Sequence, residues 1–368
     1  MLFKLDWISN KFRPVILELL DHVLSAVLFA PAVIIYWRTT WTLSGFYLFP
    51  NNFDASMLTS LFIGFFGQLI FTYIQDFLAE NLHPSKNRFI YYILSRIYTY
   101  IFGAVCINLW RGIWIALEMF SGQDIVKVLV PTVISFVFLI ASRILRNVSS
   151  SPLVVALDSP KGYFAVPTMF KLTGSKLDSL FILDSLFSVF VVGCLVVFAW
   201  RGVWCLFDMY LYPGDEVYSS LISVILGYVI VLVVFGLQKP MQKCCEKLTG
   251  IGRLAVLDLY IFISFVGTIN VWRGIWNLVN IYFIPESPEL SCWITHFGCF
   301  AFLVVMNCSN SVLVRGVAVD GEEEGGKCVV FPTSYLRTFF SDSEKKEESE
   351  QDERTKTTNA KSDVTVSV

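Results

Sequence analysis

Charge is what this chain of 368 residues has least of: 16% of it is Asp, Glu, Lys or Arg, while 55% is hydrophobic. A soluble domain carries roughly 25% charged residues, so the composition points to lipid as the solvent. A formal net charge of −2 leaves no basic surface large enough to neutralise a phosphate backbone, which argues against nucleic acid as a partner. The nine cysteines show neither metal-ligand spacing nor a paired framework. No zinc site or disulfide scaffold is expected, and most of them read as small hydrophobes. The opening residues contain Lys4, Lys11 and Arg13 but no short apolar core followed by a small-residue cleavage site. The first helix therefore reads as its own targeting signal. No catalytic Ser/His/Asp group and no metal cluster recurs along the chain, so it reads as non-enzymatic and without a cofactor.

Lys and Arg are missing altogether from four short stretches, near 46–55, 120–123, 211–215 and 284–289. These alternate with loops that are rich in them: Lys86 and Arg88; Arg143, Arg146, Lys161, Lys171 and Lys176; Lys239, Lys243, Lys247 and Arg253. By the positive-inside rule the basic loops and both termini are cytoplasmic. Between the loops lie eight apolar stretches, roughly 18–45, 56–80, 89–119, 124–146, 179–210, 216–238, 254–283 and 290–310, each long enough for a crossing that needs about 20 residues. The odd-numbered ones are longer than a straight crossing requires and must tilt, kink or project. The expected fold is an all-α integral membrane protein of eight transmembrane helices.

What the chain has in repetition is Trp-Arg-x-x-Trp, late in each odd helix: Trp37-Arg38…Trp41, Trp110-Arg111…Trp114, Trp200-Arg201…Trp204 and Trp272-Arg273…Trp276. Gly112, Gly202 and Gly274 follow the Arg in three copies, Thr39 in the first. An aromatic follows each at a fixed distance (Tyr47, Phe120, Tyr210, Tyr282), and then Pro50, Pro213 or Pro285, with Gln123 as the exception. Four such copies mark four helix-pair repeats. The first and third motifs, and the second and fourth, are spaced alike to within one residue. Asn147-Val-Ser-Ser-Ser-Pro-Leu-Val also resembles Asn307-Cys-Ser-Asn-Ser-Val-Leu-Val, and Pro167-Thr168 resembles Pro332-Thr333. The chain thus divides into a cytoplasmic N-terminus (1–14), two homologous four-helix halves (15–177 and 178–340) related by an axis along the membrane normal, and a mixed-charge tail (341–368) expected to be disordered. Each half closes with β-branched runs around a turn, 152–166 and 312–331, which read as short cytoplasmic β-hairpins.

Trp at i and i+4 share one helical face, and the Arg between them points about 100° away. Side chains lean toward a helix's N-terminus, here the cytoplasmic side, so each guanidinium leans into hydrocarbon, where a lipid-facing charge costs at least ~2.5 kcal/mol. Glu118, Asp208 and Asn280 recur two turns beyond the Arg, about 10 Å along the same helix, so pairing must run between neighbouring repeats; the first copy has Gly45 there. Three readings stand: a structural Arg–acid and cation–π clasp, an Arg-lined anion path on the pseudo-symmetry axis, or a site for lipid-headgroup phosphate. Under the first, Arg201→Gln should lower folding yield. Asp21, Asp184 and Asp258 read as first-turn acids favoured by the helix dipole, and His22 and His296 as core histidines. The sequons at Asn147 and Asn307 fall inside and should stay unmodified. Cys244 and Cys245, among lysines after helix 6, have the setting of S-palmitoylation, with two inert thiols as the competing reading. Val366 and Val368 at the terminus suit a PDZ-type groove.

The repeated Leu109-Trp-Arg-Gly-Ile-Trp114, Ala199-Trp-Arg-Gly-Val-Trp204 and Val271-Trp-Arg-Gly-Ile-Trp276 in an eight-pass chain resemble the Fuseless family of invertebrate membrane proteins, over nearly all of 15–340. The resemblance implies a neuronal, presynaptic plasma-membrane protein without enzymatic activity, linked to ion-channel organisation and neurotransmission at the synapse. Its partners would be membrane lipid, ion-channel subunits and PDZ-type scaffold proteins. Thr39 and Gly45 depart from the other copies.

Overall fold

The computed structural model describes residues 13–122, 124–172 and 178–341. Eight main helices account for most of them: α1 (Arg13–Tyr47), α2 (Phe53–Asn81), α3 (Arg88–Ser121), α4 (Ile125–Ala141), α5 (Ser179–Tyr210), α6 (Glu216–Lys247), α7 (Gly250–Tyr282) and α8 (Pro288–Val305). All but α4 are long and apolar enough to cross a membrane, and α4 is a shorter apolar helix of 17 residues. Side-chain caps start several of them. Asn52 accepts from Ala55 N–H, Asn87 from Phe89 and Ile90, Asp124 from Val126 and Lys127, Asp178 from Leu180 and Asp215 from Tyr218, each satisfying donors that a helix leaves open.

The helices form two concentric layers. α1, α3, α5 and α7 make a closed inner ring, and each outer helix packs on the inner helix that follows it: α2 on α3, α4 on α5, α6 on α7, and α8 back on α1. The sequence repeat of odd helix then even helix is therefore not the packing unit; the packing unit is even then odd, and the ring closes across the two ends of the chain. The bilayer window of α3 is 67% buried against 22% for α2, which separates the layers. Glycine permits the close approach. A Cβ at Gly64 would lie 2.3 Å from Leu109 Cα, and one at Gly274 2.8 Å from backbone atoms of Ser220 and Val224. Outer helices turn Phe62, Phe66, Val133, Val137, Ile225, Leu232, Ile294 and Phe297 outward, an apolar belt that suits lipid and would aggregate in water.

At the basic end the chain folds back into the bundle. After α4 and α8 come short 3₁₀ turns, Leu145–Val148 and Ser309–Val312, followed by extended segments. Among the described residues there are no strands, so the two expected hairpins do not form. Their backbone donors have other acceptors. Val155 N–H bonds Pro332 O and Val317 N–H bonds Pro167 O, both at 2.8 Å. Val166 N–H bonds Gln75 Oε1 and Phe331 N–H bonds Gln238 Oε1. Each segment thus pairs with the opposite half's segment and with an outer-helix glutamine of its own half, and not as a hairpin. The halves also align differently from the Asn147/Asn307 match. Arg143 and Asn307 share a left-handed backbone after their helices, so Val148 corresponds to Val312, as the indole bonds described below also require.

Two π turns, Ser25–Phe29 in α1 and Phe187–Val192 in α5, interrupt otherwise regular helices at equivalent places. Each presents a serine to an incoming segment: Ser25 Oγ donates to Pro152 O, and Ser188 Oγ accepts from Met169 N–H at 2.9 Å. Asp21 and Asp184 act alongside them rather than as dipole acids. Asp21 accepts from the N–H of Tyr335 and Leu336 and pairs with Arg337 at 2.7 Å. Asp184 accepts from Thr168 Oγ1 and Phe170 N–H.

Candidate functional site

The tryptophan face of each motif points to the bundle axis. Trp37, Trp110, Trp200 and Trp272 form a closed tetrad, each ring edge-on to the next, with centroids 5.3–5.6 Å apart and interplanar angles of 74–84°. Trp41, Trp114, Trp204 and Trp276 form a second tetrad one turn further along, at 5.7–6.0 Å and 84–88°. The i, i+4 spacing stacks the two. Edge-to-face pairs add about 0.5–1.5 kcal/mol each beyond area burial, so eight of them make the axis a rigid element. The folded-back segments cap it: Trp37, Trp200 and Trp272 donate Nε1–H to the carbonyls of Val312, Val148 and Ser151 at 2.9, 3.0 and 2.7 Å. A cavity of about 230 Å³ lies within the eight indoles, floored by Asn147, Ser149, Ser150 and Val314. A second, of about 320 Å³, continues beside the caps and reaches Gln68, Thr72 and Arg146.

The four motif arginines are 3–5% exposed, and none lines either axial cavity. They lie between helices, and for Arg111 and Arg273 an outer helix supplies a cradle. Arg111 Nη1 donates to Ser60 Oγ at 2.7 Å and Nη2 to Ser56 Oγ at 2.9 Å. Arg273 repeats this with Ser223 and Ser219 at 2.6 and 2.7 Å, and adds an ion pair to Asp208 of α5 at 2.7 Å. Arg38 Nε donates to Asn280 of α7 at 2.5 Å. Arg201 differs. Its outer helix offers Val128 and Thr132 in place of the serine pair, its Nε has no partner, and no hydrogen bond or ion pair joins it to Glu118 among the described residues. Gly45 stands where an acid would be, 3.6 Å in Cβ terms from Arg111 Nη2. Among the described residues cation–π contacts occur at Arg13 and Arg96, not at the motif arginines.

Sequence reasoning missed a buried polar layer at the basic end. Arg96 pairs with Asp158 at 3.3 Å, with both side chains nearly fully buried, and donates to Tyr163 and Asn307. Asp158 in turn accepts from the N–H of Ser309 and Asn310. The other half has the same frame with charges exchanged. Asp320 accepts from the N–H of Leu145 and Arg146, Asp258 occupies the helical place of Arg96, and Arg143, in the place of Asn307, is the cation acting on it. Burial pushes the Asp320 carboxyl up to about 6, with the Arg146 N–H pulling it back. Asp158 and Asp320 hold equivalent places in the two halves, which the local sequence marks only as a turn between β-branched runs.

Other singled-out residues fall in varied surroundings. His296 is buried, 2.9 Å from Tyr100 Oη and 3.2 Å from Thr40 Oγ1, and His22 stacks on Phe235. Asn147 and Asn307 are tied into the caps. Cys244 is exposed, whereas Cys245 is buried. Val366, Val368 and the acidic-basic tail lie outside the described residues. No three His, Cys, Asp or Glu come together as a metal site among the described residues.

No curated protein and no solved structure matches the chain. A family model does, from residue 16 to residue 313, across both halves and all four Trp-Arg motifs, and this multi-pass membrane protein belongs to the Fuseless family.

Proposed function

We propose that the chain is an eight-pass plasma-membrane protein, its basic end and both termini cytoplasmic, that serves as a non-enzymatic synaptic scaffold or ion-channel-associated regulatory subunit. The observation carrying this reading is the axis itself. Two closed indole tetrads and two inserted caps occupy the place where a conduction path would run. A conducting protein needs hydrated, weakly binding sites in series. A cage of indoles locked edge to face instead holds an apolar perimeter and a composite basic face in fixed relation, as a docking subunit requires. The basic face combines segments from both halves, and Cys244, exposed beside it, is the thiol open to S-acylation. Val366 and Val368 would add a PDZ-type contact.

The test is electrical. Cells expressing the chain alone should show no new current, while co-expression with a voltage-gated channel should change that channel's current density without altering its unitary conductance. A current carried by the chain alone, reduced by substituting an axial tryptophan, would overturn the reading.

A further inference from the structure

Eight of the chain's ten tryptophans wall the axial cavity of about 230 Å³. Protein interiors pack like organic crystals, with few voids larger than a water molecule. An apolar cavity of roughly 150 Å³ already suffices to bind benzene. A void of this size at the bundle axis has the dimensions of a ligand site.

The wall decides the ligand's charge. None of its residues is ionisable. Four guanidiniums stand one residue along from the inner tetrad, and among the described residues Arg273 alone of them has an ion pair. A cation entering the cage would meet attractive indole faces inside a surround of like charge in a low dielectric, and an anion would find no cation in the wall. The ligand is therefore uncharged.

Hydrogen bonding then decides its polar group. Three inner indoles spend their N–H on cap carbonyls. The fourth, Trp110, lines both cavities and, alone of the four, makes no such bond. Ser149 Oγ borders the same space. Buried polar groups are nearly always satisfied, yet Ser149 Oγ is buried without a partner, and among the described residues no hydrogen bond engages Trp110 Nε1, which borders the cavity. We propose that the axial cage binds one small, uncharged, largely apolar molecule whose carbonyl, ether or hydroxyl oxygen accepts from Trp110 Nε1 and Ser149 Oγ. This goes beyond the scaffold reading and does not depend on it.

The test uses the full-length protein in lipid nanodiscs and two brominated quenchers of indole fluorescence: tribromoethanol, which carries an acceptor oxygen, and bromoform, which does not. Quenching by tribromoethanol should saturate with a single midpoint and be insensitive to tetramethylammonium. Trp110→Phe keeps the ring and removes the donor. It should weaken tribromoethanol about fivefold, the value of one modest hydrogen bond, and leave bromoform unchanged. Quenching that rises linearly, as partition into lipid would give, overturns the proposal. So does displacement by tetramethylammonium, or equal weakening of both probes by Trp110→Phe. Should that variant fail to fold, Val314→Phe fills the cavity instead, and a saturable component that survives it is equally fatal.

Discussion

At the scale of single residues, the four arginines share a motif but not an environment. Arg273 has two serine hydroxyls and a carboxylate, Arg111 two hydroxyls, Arg38 an amide, and Arg201 none of these. Removing Arg273 strands Asp208 and the serine pair. Arg273→Gln should therefore cost about 2 kcal/mol, the range for hydrogen bonds to a charged group, discounted because the Asp208 side chain is 47% exposed. Arg201→Gln removes a buried charge whose Nε has no partner among the described residues and should be near neutral or stabilising. Thermal unfolding of the two variants in detergent decides it, and an equal loss for both would mean that Arg201 has a partner in the membrane. The loss of yield expected from sequence for Arg201 thus moves to Arg273. The reason, Val128 in place of a serine on a different helix, cannot be seen within the motif.

At the scale of elements, helix approach and cap insertion each make a prediction. A methyl at Gly274 meets backbone atoms of α6 at 2.8 Å, so the helix itself must move. Gly274→Ala should destabilise by about 1–3 kcal/mol through overpacking, despite its better helix propensity. Gly298→Ala in α8, where a Cβ meets open space, should gain up to about 1 kcal/mol from propensity; matched melts compare them. For the caps, burial raises Asp320 to about 6, above the unfolded value near 3.9. A carboxyl raised on folding contributes stability that is complete below its unfolded pKa and is lost as pH rises through the folded one. The melting temperature difference between wild type and Asp320→Asn should therefore shift in favour of wild type on acidification from pH 7 toward pH 4. A difference that stays flat across that window would show that the N–H donors of Leu145 and Arg146 cancel the burial cost.

At the scale of the whole molecule, periodicity made the shared face of each tryptophan pair, the repeats and the apolar spans legible, because each is a local consequence of helix geometry; that this face turns to the bundle axis, with the arginines off it, was not. Two further features were not legible. The runs at 152–166 and 312–331 have β-branched composition, but their partners are Gln75, Gln238 and the opposite half, which no local pattern encodes. Nor does the order of helices along the chain say that each outer helix joins the inner helix after it, and so that α8 completes α1. That closure has a consequence for assembly. A first half ending at residue 177 would present α1 without its outer helix, leave Tyr36 without His296 and Phe300, and contain two members of each tryptophan tetrad. The second half would leave α8 unpaired and lack the cap carbonyls that Trp200 and Trp272 require. Expressed singly, each half should aggregate or be degraded. Expressed together as 1–177 and 178–368, they should recover a monodisperse one-to-one complex, because the described contacts that close the ring lie between helices. Size-exclusion chromatography of the co-purified halves in detergent measures it. A first half that is monodisperse alone would show that the halves are separate folding units and that the ring is only their docked arrangement.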